Sequence, residues 1–450
     1  MISLGRRHRF PTYLTFARRA EEIGIITNKH NGVMKESFYN ISVSLNNGKT
    51  LIFNTLRNRF ILLHKKIQVL TNEELEPKLC ALLIENGFIV DEAIDEFSLI
   101  EEFHTKSINT SVYDLTIIPT LDCNLRCWYC FEKHIVGSRL TAEISSNIFH
   151  FTKNILGSDE ITELKVTMFG GEPLMYFKEE IYPLLKKIQD FALEIGKNVS
   201  FNFITNGICI TDDTIPLFEE LNASFQISID GYRDKHNKVK RSRLITEPYD
   251  VVMRAIHLLS EKYNARINLR INYDNETLSH IDEVIKDIVD IKRKNIRIHL
   301  ERIWQTKEDR NKPLNIKGVI DLFLLNKFNV TYLNMVRFGN SCKASQKNQS
   351  VISYDGKIYK CTGRDFTAKL QEGELKNGLI EWDNEKLQKR MNIVTYDNPK
   401  CMACKFLPIC WGPCCQKLLE NPNGIEKFCQ LNRMEMTIED FIKYRVKNEL

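Results

Sequence analysis

Three cysteines, Cys123, Cys127 and Cys130, stand in the stretch CNLRCWYC with the spacing C-x3-C-x2-C. Three closely set thiolates hold three irons of a cubane cluster and leave the fourth iron open to a substrate or cofactor. A zinc site would want a fourth ligand at similar spacing, and a ferredoxin cluster a fourth cysteine; neither follows nearby. A second set lies toward the C-terminus. Cys342 and Cys361 flank Gly356 as C-x13-G-x4-C, and Cys401, Cys404, Cys410 and Cys414 read C-x2-C-x5-C-x3-C before Cys429. The odd total of thirteen cysteines argues against complete pairing, so metal ligation is the expected use of these thiols.

From Tyr113 onward, strands and helices alternate. Strands are expected at 114–120, 163–169, 199–205, 223–230, 266–273 and 296–303, with helices near 141–156, 178–195, 212–221, 248–263, 278–294 and 315–327. Thr141 can cap the first helix, whose Ile144, Ile148, Phe151 and Ile155 share a face before Gly157. Six such units in series imply a parallel sheet. Several strands alternate in polarity: Phe225, Ile227 and Ile229 with Gln226, Ser228 and Asp230; Ile267, Leu269 and Ile271 with Asn268, Arg270 and Asn272; Ile296, Ile298 and Leu300 with Arg297, His299 and Glu301. With the apolar set against helices, the polar set faces inward. A closed, side-chain-filled barrel would leave those groups without partners, whereas a wide, incomplete barrel accommodates them.

The cysteine loop follows the first strand, at the edge where α/β barrels place their sites. The second strand ends in Gly170-Gly171-Glu172-Pro173, where paired glycines allow close backbone approach and a carboxylate can hold an ammonium group. Thr205-Asn206-Gly207 ends the third strand in the same way. The triad together with this GGEP turn resembles the signature of the radical S-adenosylmethionine (radical SAM) enzymes, over roughly residues 110 to 305. The resemblance implies a partial (β/α)6 barrel. Its 4Fe–4S cluster on Cys123, Cys127 and Cys130 would bind SAM through the unique iron and reduce it to methionine and a 5′-deoxyadenosyl radical that abstracts hydrogen from substrate. Tyr129 is the aromatic residue usual before the third cysteine. The resemblance further implies that Gly170, Gly171, Glu172 and Pro173 serve the SAM amino group, with Asn206 beside them, and that Ser228 and Asp230 serve the ribose. Arg270 and Asn272 are candidate carboxylate and ribose contacts, with simple filling of a polar bore as the alternative. His299 and Glu301 are candidate catalytic residues facing the substrate; a structural ion pair explains them equally.

The seven C-terminal cysteines look like the SPASM extension, which implies two auxiliary 4Fe–4S clusters. On that pattern Cys342, Cys361 and Cys414 hold the first, and Cys401, Cys404, Cys410 and Cys429 the second. The most complete members carry one more upstream cysteine for the first cluster. Here only the neighbouring Cys415 is near in sequence, so that cluster is expected to have an open iron.

The expected organisation is an extension at 1–33, disordered or not native; a small α+β module at 34–108; the radical SAM core at 109–310; and a loop-rich SPASM domain at 311–450. In the module, Tyr39, Ile41 and Val43 alternate with polar residues, Asn46-Asn47-Gly48 makes a turn, and Leu51 to Phe53 resumes a strand. Asn72 is expected to cap a helix with Leu79, Leu82 and Leu83 on one face, stopped at Gly87, and Phe88 to Val90 to form a strand. Cys80 reads as an inert core thiol. The module has no chemical constellation, so its role is binding, in particular of a peptide, or support. Residues 1–33 carry six basic and two acidic residues, a net +4, which leaves +1 of the chain's +5 for the body. A near-neutral body disfavours nucleic acid as partner. No apolar run reaches the roughly 18 residues of a membrane helix, and no secretory signal is present, so a cytoplasmic enzyme without a membrane partner is expected.

Three functions follow. The first is a peptide maturase that forms a thioether or carbon–carbon crosslink in a ribosomal precursor, with flavodoxin or ferredoxin as reductant. The second is an anaerobic sulfatase-maturating enzyme making formylglycine. The third is a non-catalytic iron–sulfur or zinc protein that binds a peptide, against which the intact triad and GGEP speak.

Overall fold

The computed structural model describes residues 4–5, 33–46, 48–64, 75–242, 244–305, 314–332 and 342–449. The six expected strands form in sequence order and run parallel: Val112–Ile118, Glu163–Met168, Asn198–Thr205, Ser224–Ile229, Arg266–Tyr273 and Ile296–Arg302. They do not close. Asn329–Tyr332 adds a parallel strand beyond the sixth, and Gln349–Ser353 adds one beside the first. Antiparallel Lys357–Tyr359, Gly373–Lys376 and Leu379–Trp382 then complete an 11-stranded sheet among the described residues. Strands from 311–450 therefore continue the core sheet at both edges.

The alternating strands behave as their chemistry demands. Phe225, Ile227 and Ile229 are buried against the helices, while Gln226 and Ser228 face the bore, where Asn268 Nδ2 donates to Gln226 Oε1 at 3.0 Å. The first covering helix, Ala142–Leu156, starts where Thr141 Oγ1 accepts from Ile144 N at 3.2 Å. The second helix differs from expectation by opening with a π turn, Phe177–Ile181, before Tyr182–Glu194. The expected 278–294 helix begins early, because Asp274 caps Asn275–Ser279, and ends at Ile288 after the break before Ile281–Ile288.

The N-terminal module is a four-stranded antiparallel sheet in the order Leu4–Gly5, Arg59–Leu63, Thr50–Asn54, Asn40–Ser44. Leu4–Gly5 thus pairs with the module rather than hanging free; most of 1–33, and the expected cap Asn72, lie outside the described residues. The helix runs Pro77–Glu85, and Gly87 follows it at φ +73° as a C-terminal stop requires. Cys80, expected in the core, is only half-buried. Of the two expected strands, Asn40–Ser44 is an edge, whereas Thr50–Asn54 is central and buried throughout. One face of this sheet (Ile52, Ile61, Leu63) packs on Leu83 of its own helix. The other (Val43, Leu51, Phe53, Phe60) belongs to the main core with Phe406, Ile409 and Phe441. Among the described residues no helix is long and apolar enough to cross a membrane.

Candidate functional site

The loop after Val112–Ile118 lacks ladder partners, and its own side chains supply them. Leu121 N donates to Ser138 Oγ at 2.9 Å, Asp122 N to Thr120 Oγ1 at 2.8 Å, and Gly137 N to Asp122 Oδ2 at 2.9 Å. These contacts close the base of the loop. At its far side Arg126–Cys127 pairs antiparallel with Lys240–Arg241, so Cys127 lies opposite Lys240. Cys130 N donates to Cys127 O at 3.1 Å, and Leu125 N and Asn206 Nδ2 approach Cys123 Sγ at 3.4 and 3.8 Å. Burial, with neighbouring carboxylate and thiol groups, pushes Cys123 up to about 12. Cys127 also reaches about 12, because burial outweighs the opposing pull of Lys240. Such thiols give up their protons when a cation replaces them.

The glycines of GGEP are required by contact. A Cβ on Gly171 would stand 2.0 Å from Asp122 O, and one on Gly170, at φ +112°, would stand 2.6 Å from Ile118 Cγ2. Glu172 is fully buried. Its Oε1 accepts from Leu174 N at 3.0 Å and Thr205 Oγ1 at 2.7 Å, and its Oε2 from Asn206 N at 2.8 Å. The side chain expected to meet an ammonium ion thus staples the GGEP turn to the end of the third strand, and this explains why Asn206 sits beside it. Pro173 lies in that same turn.

Tyr129, Ser228, Asp230, Arg270 and Asn272 do come together. Tyr129 OH donates to Asp230 Oδ1 at 2.6 Å, Asn272 Nδ2 reaches the same oxygen at 3.2 Å, and Arg270 Nε donates to Asn272 Oδ1 at 2.9 Å. Asp230 Oδ2 is buried without a hydrogen bond, 3.6 Å from the ammonium of Lys240. Lys240 itself is 2% exposed and donates to Ser228 O and Ser228 Oγ, both at 2.6 Å. Sequence reasoning missed this lysine, since the run KVKRSR reads as a solvated basic stretch and no local signal marks one member as buried. Also missed was Cys209, linked through Asn124 Nδ2 at 3.4 Å to the triad loop.

His299 and Glu301 lie on the sixth strand in register with Arg270 and Asn272, in a chain of contacts that runs on to Arg433. Glu301 Oε1 meets Arg433 at 2.8 Å and its Oε2 lies 3.6 Å from His299 Nε2. Burial would raise the Glu301 carboxyl, but His299, Arg270 and Arg433 outweigh it and hold it at about 2. A carboxylate so acidic is a poor general base at neutral pH. The geometry is that of an anchor between the sixth strand and the C-terminal segment.

The C-terminal cysteines gather in two places. Cys401, Cys404, Cys410 and Cys429 line one cavity of about 60 Å³, whose other walls include Phe406, Leu407, Ile425 and Leu431. Asn398 Oδ1 accepts from Cys401 N at 2.9 Å, and Trp411, at φ +60°, turns the chain after Cys410. Burial and the other three thiols push Cys410 up to about 12. Cys342, Cys361 and Cys414 form the second group; burial, with Cys342 and Cys414 adding to it, raises Cys361 to about 11. Cys415 is fully buried beside them, with Arg390 NH1 at 3.9 Å from its sulfur. Among the described residues no three His, Cys, Asp or Glu side chains converge tightly enough to hold a single ion.

Fold and site define an α/β enzyme whose open parallel sheet carries a thiol triad beyond the carboxyl end of its first strand. Residues 117–288 match the Radical SAM superfamily, so the chain carries a radical SAM domain. It is 26% identical over 350 residues to a cysteine-type anaerobic sulfatase-maturating enzyme of Clostridium novyi, covering 69% of this chain and 90% of that one. A serine-type anaerobic sulfatase-maturating enzyme of Bacteroides thetaiotaomicron is 22% identical, covering 65% and 80%. In fold the chain is similar to anSMEcpe with bound AdoMet and Cp18Cys peptide (TM-score 0.57, 19% identity, 75% of this chain and 99% of that one). It is also similar to SuiB of Streptococcus suis bound to S-adenosylmethionine (TM-score 0.50, 14% identity, 87% and 98%). The superfamily implies a 4Fe–4S cluster and SAM. The triad fits the former: three thiols on one loop, a Cβ-free turn pressed against it, and no fourth motif cysteine.

Proposed function

We propose that this enzyme modifies a peptide, forming a thioether or carbon–carbon crosslink in a ribosomal precursor, with auxiliary clusters on the C-terminal cysteines and flavodoxin or ferredoxin as reductant. The cavity lined by Cys401, Cys404, Cys410 and Cys429 carries the auxiliary-cluster part of this reading, because a void of about 60 Å³ walled by four thiols and apolar side chains suits a buried cluster better than a substrate pocket. When bound, the triad cluster and SAM would supply a carbon radical that abstracts hydrogen from the substrate. The chain's own residues do the rest. Cys123, Cys127 and Cys130 would hold the cluster; Gly170 and Gly171 keep the turn close; Asp230, Asn272 and Arg270 would offer polar atoms to the cofactor; Lys240 packs 3.6 Å from Asp230.

Sulfatase maturation is the second reading, favoured by the two curated relatives. Against it stands the quarter of this chain that the match to anSMEcpe leaves uncovered. The deciding experiment incubates anaerobically reconstituted protein with SAM, dithionite and cysteine-containing peptides: a precursor encoded beside the gene and a sulfatase-type peptide. Mass spectrometry with hydrazide trapping reads the product. Loss of a hydrogen pair without a trappable aldehyde supports crosslinking; an aldehyde formed from the sulfatase-type cysteine moves the assignment to formylglycine.

A further inference from the structure

The N-terminal module is built into the wall of the second cysteine set. Tyr39, Leu56 and Ile100 of the module form one buried cluster with Tyr396, Leu407 and Trp411, and Cys401 packs against it. His104, on the module's last helix Glu96–Ile108, places its ring 5.1 Å from Tyr396 and 5.8 Å from Trp411. Residues flanking Cys404 and Cys410 are therefore held by side chains that lie more than 290 positions earlier in the chain.

One residue concentrates the link. Lys405, directly after Cys404, donates from Nζ to Asn40 O at 2.8 Å and lies 5.8 Å from the Phe38 ring, while its own carbonyl accepts from Thr55 Oγ1. Its ammonium is thus fixed to the module one residue from a thiol ligand. The potential of an iron–sulfur cluster responds to nearby charge, hydrogen bonding and solvent exposure.

We propose that Lys405 is a positioning residue that makes the N-terminal module set the stability and reduction potential of the second auxiliary cluster. This rests on the reading of Cys401, Cys404, Cys410 and Cys429 as cluster ligands. Asn40 begins the edge strand Asn40–Ser44, whose backbone alternates between its partner strand and the open side. Tyr39 O is taken by Thr55 N within the sheet, so the Asn40 carbonyl that Lys405 grips belongs to the outward set with Ser42 and Ser44. A strand added at this edge would compete with Lys405 for that carbonyl, and the cluster would register it.

The test uses the full chain, reconstituted anaerobically, with iron analysis and potentiometric EPR. Lys405→Met and the uncharged, near-isosteric Thr55→Val each break one arm of the link; Lys405→Arg restores the cation. We expect either variant to change the reduced fraction of one auxiliary cluster at least threefold at fixed potential, about 30 mV for one electron, or to lose about four irons selectively. SAM cleavage should stay at the parent rate and Lys405→Arg should recover most of the shift. Full iron content with an unmoved potential in both variants overturns the inference. Wild-type protein that binds only about four irons instead overturns the underlying cluster reading.

Discussion

The two best-formed cysteine sites present the same donor atom in different settings. The triad sits on a loop beyond a strand end, with Cys130 exposed and Trp128 56% exposed beside it. Its thiols face a bore that offers Asp230, Asn272 and Arg270. Cys401, Cys404, Cys410 and Cys429 instead enclose a small void whose remaining walls are mostly apolar and which the N-terminal module closes from behind. An open site lets a small molecule reach iron and leave again, while a site with four cysteine ligands suits electron storage at constant ligation. On the proposed reading the first would carry turnover and the second would support it.

Removing one ligand from each site tests the division, with the largest effect at the triad. Cys127→Ala should bring reductive SAM cleavage to background and lower iron from about 12 to about 8 per chain by ligand counting. Cys404→Ala should lose a similar amount of iron yet keep most SAM cleavage while product formation fails; chromatography of 5′-deoxyadenosine and product from the same reaction separates the two. Equal loss of both in the Cys404 variant would erase the distinction.

Smaller effects come from the residues that position the open site. Lys240→Met leaves Asp230 buried with one oxygen uncompensated, and loss of one partner of a buried pair typically costs about 3–5 kcal/mol. Urea unfolding of the apo protein measures it, and adding Asp230→Asn should recover part of the loss. Glu301 gives the pH signature. Its folded value near 2 lies below the ordinary 4.5, so its contribution is present above pH 4.5 and disappears as pH falls from 4.5 toward 2. Glu301→Gln should flatten that limb of the apo protein's acid unfolding, by at most about 3 kcal/mol; an unchanged limb would contradict the ion-pair account.

How much could be read beforehand differs in the same way between the regions. Strand order in the barrel was legible because local alternation, as in Phe225 to Asp230, reports which face each residue takes, and parallel units must follow in series. The GGEP glycines were legible for a similar reason: their need is set by contact with the adjacent strand end. Glu172 was harder, since a carboxylate's partners depend on where Thr205 and Asn206 arrive. Lys240 was hidden because burial of one lysine in a basic run is a tertiary fact. The module's attachment was hidden most deeply. Nothing local to Tyr39, Asn40 or Lys405 signals contacts across some 365 positions, so the choice between binding and support stayed open in the sequence, although Val43, Phe53 and Phe60 belong to the main core.

The central claim is that an open triad cluster does the chemistry. Its most direct test is freeze-quench-free and simple: EPR of the reduced, anaerobically reconstituted protein before and after SAM is added, in the wild type and in a variant lacking the seven C-terminal motif cysteines. The account predicts a 4Fe–4S signal that SAM perturbs in both proteins, together with 5′-deoxyadenosine formation. A signal that SAM leaves unchanged in the wild type, or the absence of any iron signal attributable to Cys123, Cys127 and Cys130, would contradict it.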